Sequence, residues 1–161
     1  MADVHSRDVR SHNMRAIRNK NTKPELKLRA ILEAADIDFE LHVRALPGTP
    51  DIVLQNHRVA IFANGCFWHG HDCYLFKLPE NRREFWANKI EQTRERDKKK
   101  WQALHSEDWR VLVVWECALK GRLRHDDESL SQYFFDWLSL EKNSPHYHFC
   151  SIRCRDESDT E

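Results

Sequence analysis

The sequence predicts one α/β domain, a single mixed sheet flanked by helices. A capped amphipathic helix comes first and three short strand-like stretches follow it. A long basic helix then leads to a β-branched run, Val111 to Trp115, and a last amphipathic helix. This order, αβββαβα, has no internal repeat and no internal linker, and 161 residues suit one domain able to bury about 68–70% of its unfolded surface.

The first helix begins at Thr22-Lys23-Pro24-Glu25, a capping box. The Thr22 hydroxyl accepts from the Glu25 amide, Glu25 reaches back to the Thr22 amide, and Pro24 is tolerated in the first turn. Leu28, Ile31, Leu32 and Ala35 then form one apolar stripe at helical spacing. Ile37, Phe39, Leu41 and Val43 alternate with polar residues as in a half-buried strand, and Leu46 to Pro50 reads as a turn. Ile52–Leu54 and Val59–Phe62 read as a strand pair across Gln55-Asn56-His57.

Between Asn64 and Pro79 neither period holds, yet the loop is crowded with metal-ligand residues and bulky aromatics, which marks it as more than a connection. The long helix runs roughly from Arg83 to His105, with Trp86, Ile90, Thr93, Asp97, Trp101 and Leu104 at spacings of three and four, so a carboxylate sits in the core-facing stripe. Val111 to Trp115 resembles a strand covered on both faces and ends in Glu116-Cys117. The final helix gathers Leu130, Phe134, Trp137 and Leu138 on one side, and the residues from 141 to the acidic end read as a C-terminal tail.

Composition excludes several classes. A 40% hydrophobic fraction with six Trp and eight Phe is unlike a disordered chain, and four Gly and five Pro are unlike a collagen or a linker. The longest apolar run falls far short of the ~20 residues of a membrane helix, and Met1 to Asn13 does not resemble a signal peptide, so no membrane partner and a cytoplasmic location are expected. Five Cys, an odd number, fit a reducing compartment in which thiols are free or bind metal. Lys and Arg number 26 and Asp and Glu also 26, but their placement is uneven. The first 30 residues carry eight bases against three acids, Arg82 to Lys100 eight against four, and the chain from Asp126 onward three against nine. The two basic stretches are either solvated helix faces or a phosphate-binding surface.

Three groups of residues could carry chemistry. His71 and Cys73 are two soft ligands in one extended loop, Cys117 ends a buried strand, and Asp97 would be costly on a core-facing stripe unless it is paired or coordinates a metal. Together His71, Cys73, Asp97 and Cys117 make a closed structural zinc site, with Cys66, His69, His71 and Cys73 as a more cramped alternative within one loop. The other reading leaves Cys117 a small buried apolar residue and Asp97 paired with a Lys or Arg. His146, His148, Cys150 and Cys154 read as stray residues before the charged end. Asp51, opening a strand after a Leu-Pro-Gly-Thr turn, suits Mg²⁺, and a near-neutral His69 could take a proton from an attacking water. Phe67, Trp68 and Trp86 are core aromatics or a wedge between DNA bases.

Taken together these motifs resemble the very short patch repair endonucleases, the Vsr family of the PD-(D/E)xK nuclease superfamily. The resemblance rests on Arg10-Ser11-His12-Asn13-Met14-Arg15-Ala16-Ile17, Leu46-Pro47-Gly48-Thr49-Pro50-Asp51, Phe62 through Cys73, and Trp109 through Leu119, and covers about residues 1 to 140. It implies a restriction-endonuclease-like fold and a magnesium-dependent nicking endonuclease. Such an enzyme recognises the T:G mismatch left by deamination of 5-methylcytosine and cuts just 5′ of the T.

By the same resemblance Asp51 would hold catalytic Mg²⁺ with the main-chain carbonyl of Ala63, His69 would be the general base with Glu25 supporting it, and Phe67, Trp68 and Trp86 would intercalate. Met14 would contact DNA from the minor groove, and His71, Cys73, Asp97 and Cys117 would hold Zn²⁺. Residues 1–21 become a DNA-contacting segment, 22–140 the endonuclease domain and 141–161 the tail. The partners implied are double-stranded DNA with a T:G mismatch, then mismatch-repair and repair-synthesis proteins, for a monomer at the nucleoid. The chain departs from the family where Asn64 replaces a His and Ala63 replaces a hydroxyl-bearing or β-branched residue. A non-catalytic mismatch-binding module and a zinc-stabilised protein-interaction domain are the alternatives.

Overall fold

The computed structural model describes residues 21–159. The element order is α1 (Lys23–Ala34), β1 (Glu40–Leu41), β2 (Ile52–Leu54), β3 (Val59–Asn64), α2 (Arg83–Ser106), β4 (Arg110–Trp115), α3 (Glu116–Leu119), α4 (Asp127–Leu138) and β5 (Phe149–Ile152). The strands form one sheet in the order β1-β2-β3-β4-β5, antiparallel through β3 and parallel from β3 to β5. This is the mixed α/β sheet flanked by helices that the sequence predicts. Among the described residues no helix is long and apolar enough to cross a membrane.

Alternation along the central strands explains the layers. Ile61, Leu112 and Val114 point to the face covered by Leu28 and Leu32 of α1 and by Leu130, Phe134 and Trp137 of α4. Ala60, Phe62, Val111, Val113 and Trp115 point to the other face, where Leu104 of α2 and the loop after β3 pack. All six residues of β4 are buried, as expected of a β-branched run covered on both sides. The Thr22 hydroxyl accepts from the Glu25 N–H at 3.4 Å, as the capping box predicts, but the Glu25 carboxylate accepts from the Asn21 N–H, one residue farther back than expected.

Two expectations change. The strand anticipated over Ile37–Val43 shrinks to Glu40–Leu41, because His42 at φ 49° leaves extended geometry and ends the pairing. The presumed tail from 141 contributes β5, which pairs with β4 from Val111↔Phe149 to Val114↔Ile152. Phe149 and Ser151 are exposed on this edge, and without a continuous apolar run the segment carries no strand signal.

Candidate active site

Asp51 and Asn64 lie on the α2 face of the sheet, since Ile52 and Ile61 are register partners facing the opposite layer and side chains alternate. Asp51 Oδ2 accepts from the Ala63 N–H at 2.8 Å. Burial, reinforced by the neighbouring Glu25 carboxylate, pushes the Asp51 carboxyl up to about 6 against the pull of that backbone bond. Glu25, only 1% exposed, brings its carboxylate to the same place, with Arg29 Nη2 at 3.1 Å from Oε2 and His42 Nε2 at 3.0 Å from Oε1. Ligand atoms of Glu25, His42 and Asp51 all lie within 4.8 Å of one another, so the three could hold a metal ion.

Above them, His69 Nδ1–H donates to Asp97 Oδ2 at 2.7 Å. Asp97 is 4% exposed on the core-facing stripe of α2, and Lys100 Nζ lies 3.7 Å from its other oxygen. In the neutral ring that bond fixes the tautomer, with Nε2 the acceptor. The loop holding His69 is pinned to α2 at Gly70, which has φ 63° and where an added Cβ would collide with Ile90 Cγ2. Arg94 donates to the Gly70 carbonyl through Nε at 2.9 Å. Asn64, 5% exposed at the end of β3, has a side-chain Nδ2 with no hydrogen-bond partner.

A second cluster joins Cys66, His71, Cys73 and Cys117, whose ligand atoms also fall within 4.8 Å of one another. His71 Nδ1 is 3.6 Å from both Cys66 Sγ and Cys117 Sγ. A tetrahedral ion with Zn–S of about 2.3 Å and Zn–N of about 2.0–2.1 Å would set those ligands roughly 3.6 Å apart, so the residues fit zinc. Burial holds His71 down to about 4, which keeps its lone pair available at neutral pH. The neighbouring Cys66 and burial push the Cys117 thiol well above the ordinary range, a preference that a dication at the centre reverses. The Cys154 N–H donates to Cys117 Sγ at 3.2 Å and the Cys117 N–H to Cys66 Sγ at 3.4 Å, ties that orient the sulfurs. His71 stacks on Trp115 at 4.2 Å.

Phe67, Trp68 and Trp86 meet in one aromatic group, with centroids 5.1 Å apart for Phe67–Trp68, 5.6 Å for Phe67–Trp86 and 6.0 Å for Trp68–Trp86. Trp68 is 37% exposed. Lys89 Nζ lies 5.6 Å over the Trp86 ring and Arg82 Cζ 4.2 Å over the Phe85 ring, so cations flank the rings. Met14 and the rest of the basic N-terminal stretch through residue 20 lie outside the described residues.

The structure therefore brings together Asp51 with Ala63, His69 with Asp97, and Phe67 with Trp68 and Trp86. Of the expected zinc set it gathers His71, Cys73 and Cys117, with Cys66 beside them and Asp97 elsewhere. Asp97 satisfies its buried charge with His69 and Lys100, and Cys66 takes the fourth position because the loop turns back on itself, with the His71 N–H donating to the Cys66 carbonyl at 2.9 Å. Cys66, His71 and Cys73 had a signal in their close spacing, which the one-loop alternative used. Glu25 sits against His42, Arg29 and Asp51, whereas the direct partner of His69 is Asp97. His42 had no sequence signal, since it lay in a stretch with strand alternation.

Residues 2–75 match the DNA mismatch endonuclease Vsr family. The chain is 46% identical over 141 residues to the DNA mismatch endonuclease Vsr of Escherichia coli K12, covering 88% of this chain and 90% of that protein. It is 46% identical over 131 residues to the type II nicking enzyme V.XorIIP of Xanthomonas oryzae pv. oryzae, covering 78% and 96%. With the type II nicking enzyme V.NmeAIP of Neisseria meningitidis it shares 37% identity over 122 residues, covering 76% and 87%. A carboxylate pair beside a carboxylate-held imidazole suits phosphodiester hydrolysis, and with these relatives the chain belongs to the DNA mismatch endonuclease Vsr family and is a DNA endonuclease.

Proposed function

We propose that this enzyme nicks one strand of double-stranded DNA just 5′ of the T in a T:G mismatch, the product of 5-methylcytosine deamination, and depends on Mg²⁺. The observation that carries the reading is the approach of Asp51 both to the Glu25 carboxylate and to His69, the imidazole paired with Asp97. Asp51, Glu25 and the Ala63 carbonyl would hold the Mg²⁺. When bound, this cation supplies Lewis-acid polarisation of the phosphodiester and a charge opposite the developing oxyanion.

The chain's own residues do the rest. His69 Nε2 removes a proton from the attacking water as its oxygen bonds to phosphorus, and Asp97 stabilises the imidazolium that results. The bond from phosphorus to the leaving oxygen breaks, that oxygen takes its proton from solvent water, and His69 returns its proton to solvent. Asn64 Nδ2, a buried donor without a partner, is available to a phosphate oxygen. Phe67, Trp68 and Trp86 insert beside the mismatch, where a mispaired step is easier to unstack.

Cys66, His71, Cys73 and Cys117 would hold Zn²⁺, which would brace the loop that carries both the wedge and the base, on a restriction-endonuclease-like core. Met14 would contact DNA from the minor groove, within a DNA-contacting segment of residues 1–21. The protein acts as a cytoplasmic, nucleoid-associated monomer, handing the nick to mismatch-repair and repair-synthesis proteins. Strand-labelled matched and T:G duplexes, incubated with and without Mg²⁺, test the reading. Cleavage of the T strand of the mismatched duplex alone, only with Mg²⁺ and lost in Asp51→Ala, is expected. Binding without any cut would instead mark a mismatch-binding module.

A further inference from the structure

His42 Nε2 lies 3.0 Å from Glu25 Oε1, yet the two atoms are not aligned as a hydrogen bond. The other carboxylate oxygen of Glu25 is already engaged by the Asn21 N–H and Arg29, so Oε1 is the buried oxygen left without a hydrogen bond. Asp51 is arranged in the same way, with Oδ2 tied to the Ala63 N–H and its partner oxygen free of that bond. Two adjacent ligands on a six-coordinate ion with bonds of about 2.1 Å stand roughly 3.0 Å apart and opposite ligands about 4.2 Å apart. The Glu25–His42 separation matches the first value, and the whole triad, within 4.8 Å, requires only small shifts to match both.

The backbone supports the same arrangement. His42 adopts φ 49°, in the left-handed region that His enters more readily than most side chains, and its N–H donates to the Asp51 carbonyl at 3.1 Å. This turn ends β1 and keeps His42 next to Asp51.

We propose that His42 is a third protein ligand of the cation site at Glu25 and Asp51, and that the resulting carboxylate–imidazole set binds a divalent transition ion of the Mn²⁺ type more tightly than the Mg²⁺ that the proposed reaction uses. Imidazole nitrogen suits first-row transition ions, whereas Mg²⁺ is held by oxygen ligands and water. The inference rests on the metal-dependent nuclease reading above but concerns which donors surround the ion.

The test uses the full chain and Mn²⁺ alone as probe. Electron spin-echo modulation of the Mn²⁺-loaded wild type should carry an imidazole ¹⁴N coupling, and His42→Gln should remove it. The variant should bind Mn²⁺ about tenfold more weakly while Mg²⁺ binding, followed by competition, weakens less. Absence of the nitrogen coupling in the wild type, or its persistence unchanged in His42→Gln, overturns the proposal. The wild-type spectrum needs no variant to fold. Nicking of the T:G duplex is scored separately. Coupling without nicking supports the ligand set and defeats the nuclease reading; nicking without coupling defeats the ligand set alone.

Discussion

His69 Nδ1 stands 2.7 Å from Asp97 Oδ2, so the imidazole that faces the Asp51 carboxylate is oriented by a buried acid of the long helix. The stripe of α2 that packs on the sheet thus also orients an imidazole. Asp97→Asn should lower the single-turnover nicking rate by about 10²–10⁴-fold, because the amide cannot stabilise the imidazolium. Elemental analysis should find the metal content of the thiol cluster unchanged. A parallel loss of zinc would return Asp97 to the ligand set.

Cys66→Ser should have the opposite profile. Removing one of four ligands should release the zinc and destabilise the domain by more than about 4 kcal/mol, measured by urea unfolding with and without a chelator. A variant that keeps one zinc per chain and full stability would remove Cys66 from the site.

Because the folded chain holds the Asp51 carboxyl up to about 6, against 3.8 as its ordinary value, protons compete with the cation at slightly acid pH. Divalent-ion affinity should fall about tenfold per pH unit below about pH 6 and level off above it. In the metal-free protein the sign is reversed: between 3.8 and about 6 the folded state binds more protons than the unfolded, so this carboxyl's contribution to stability declines as pH rises. Isothermal titration across pH 5 to 8 checks the first statement, and Asp51→Asn, which should flatten the pH slope of stability, checks the second.

Replacing both Phe67 and Trp68 by Ala should erode discrimination of T:G over T:A duplexes, since the ring cluster would no longer exploit the lower unstacking cost at a mismatch. Fluorescence of a base analogue beside the mismatch should rise on binding of the wild type and stay flat with the variant. Equal loss of affinity on both duplexes would assign the rings to general stacking.

Asn64→His should increase the single-turnover rate about tenfold, as a cationic donor adds ~1.4 kcal/mol of transition-state stabilisation over a neutral amide. Mismatch affinity should hardly change. An unchanged or lower rate across the pH range would make position 64 a structural hydrogen-bonding site.

The sequence by itself determined the periodic parts of this protein: the capped start of α1, the β2–β3 pair, the stripe that buries Asp97, and the unbroken core strand β4. It also marked Asp51, His69 and the ligand-rich loop, because unusual residue types in short spacings survive without a fold. Only the tertiary structure decided which groups meet. Cys66 and Cys117 are 51 residues apart in the chain yet joined by an N–H···S bond, and His42 reaches Glu25 through a left-handed turn that no alternation encodes. β5 likewise exists only because the parallel edge of β4 offers it partners. Periodicity records which face a side chain takes; the path of the loops sets what stands opposite it, and a buried carboxylate such as Asp97 is satisfied equally by a metal or an imidazole until that path is fixed.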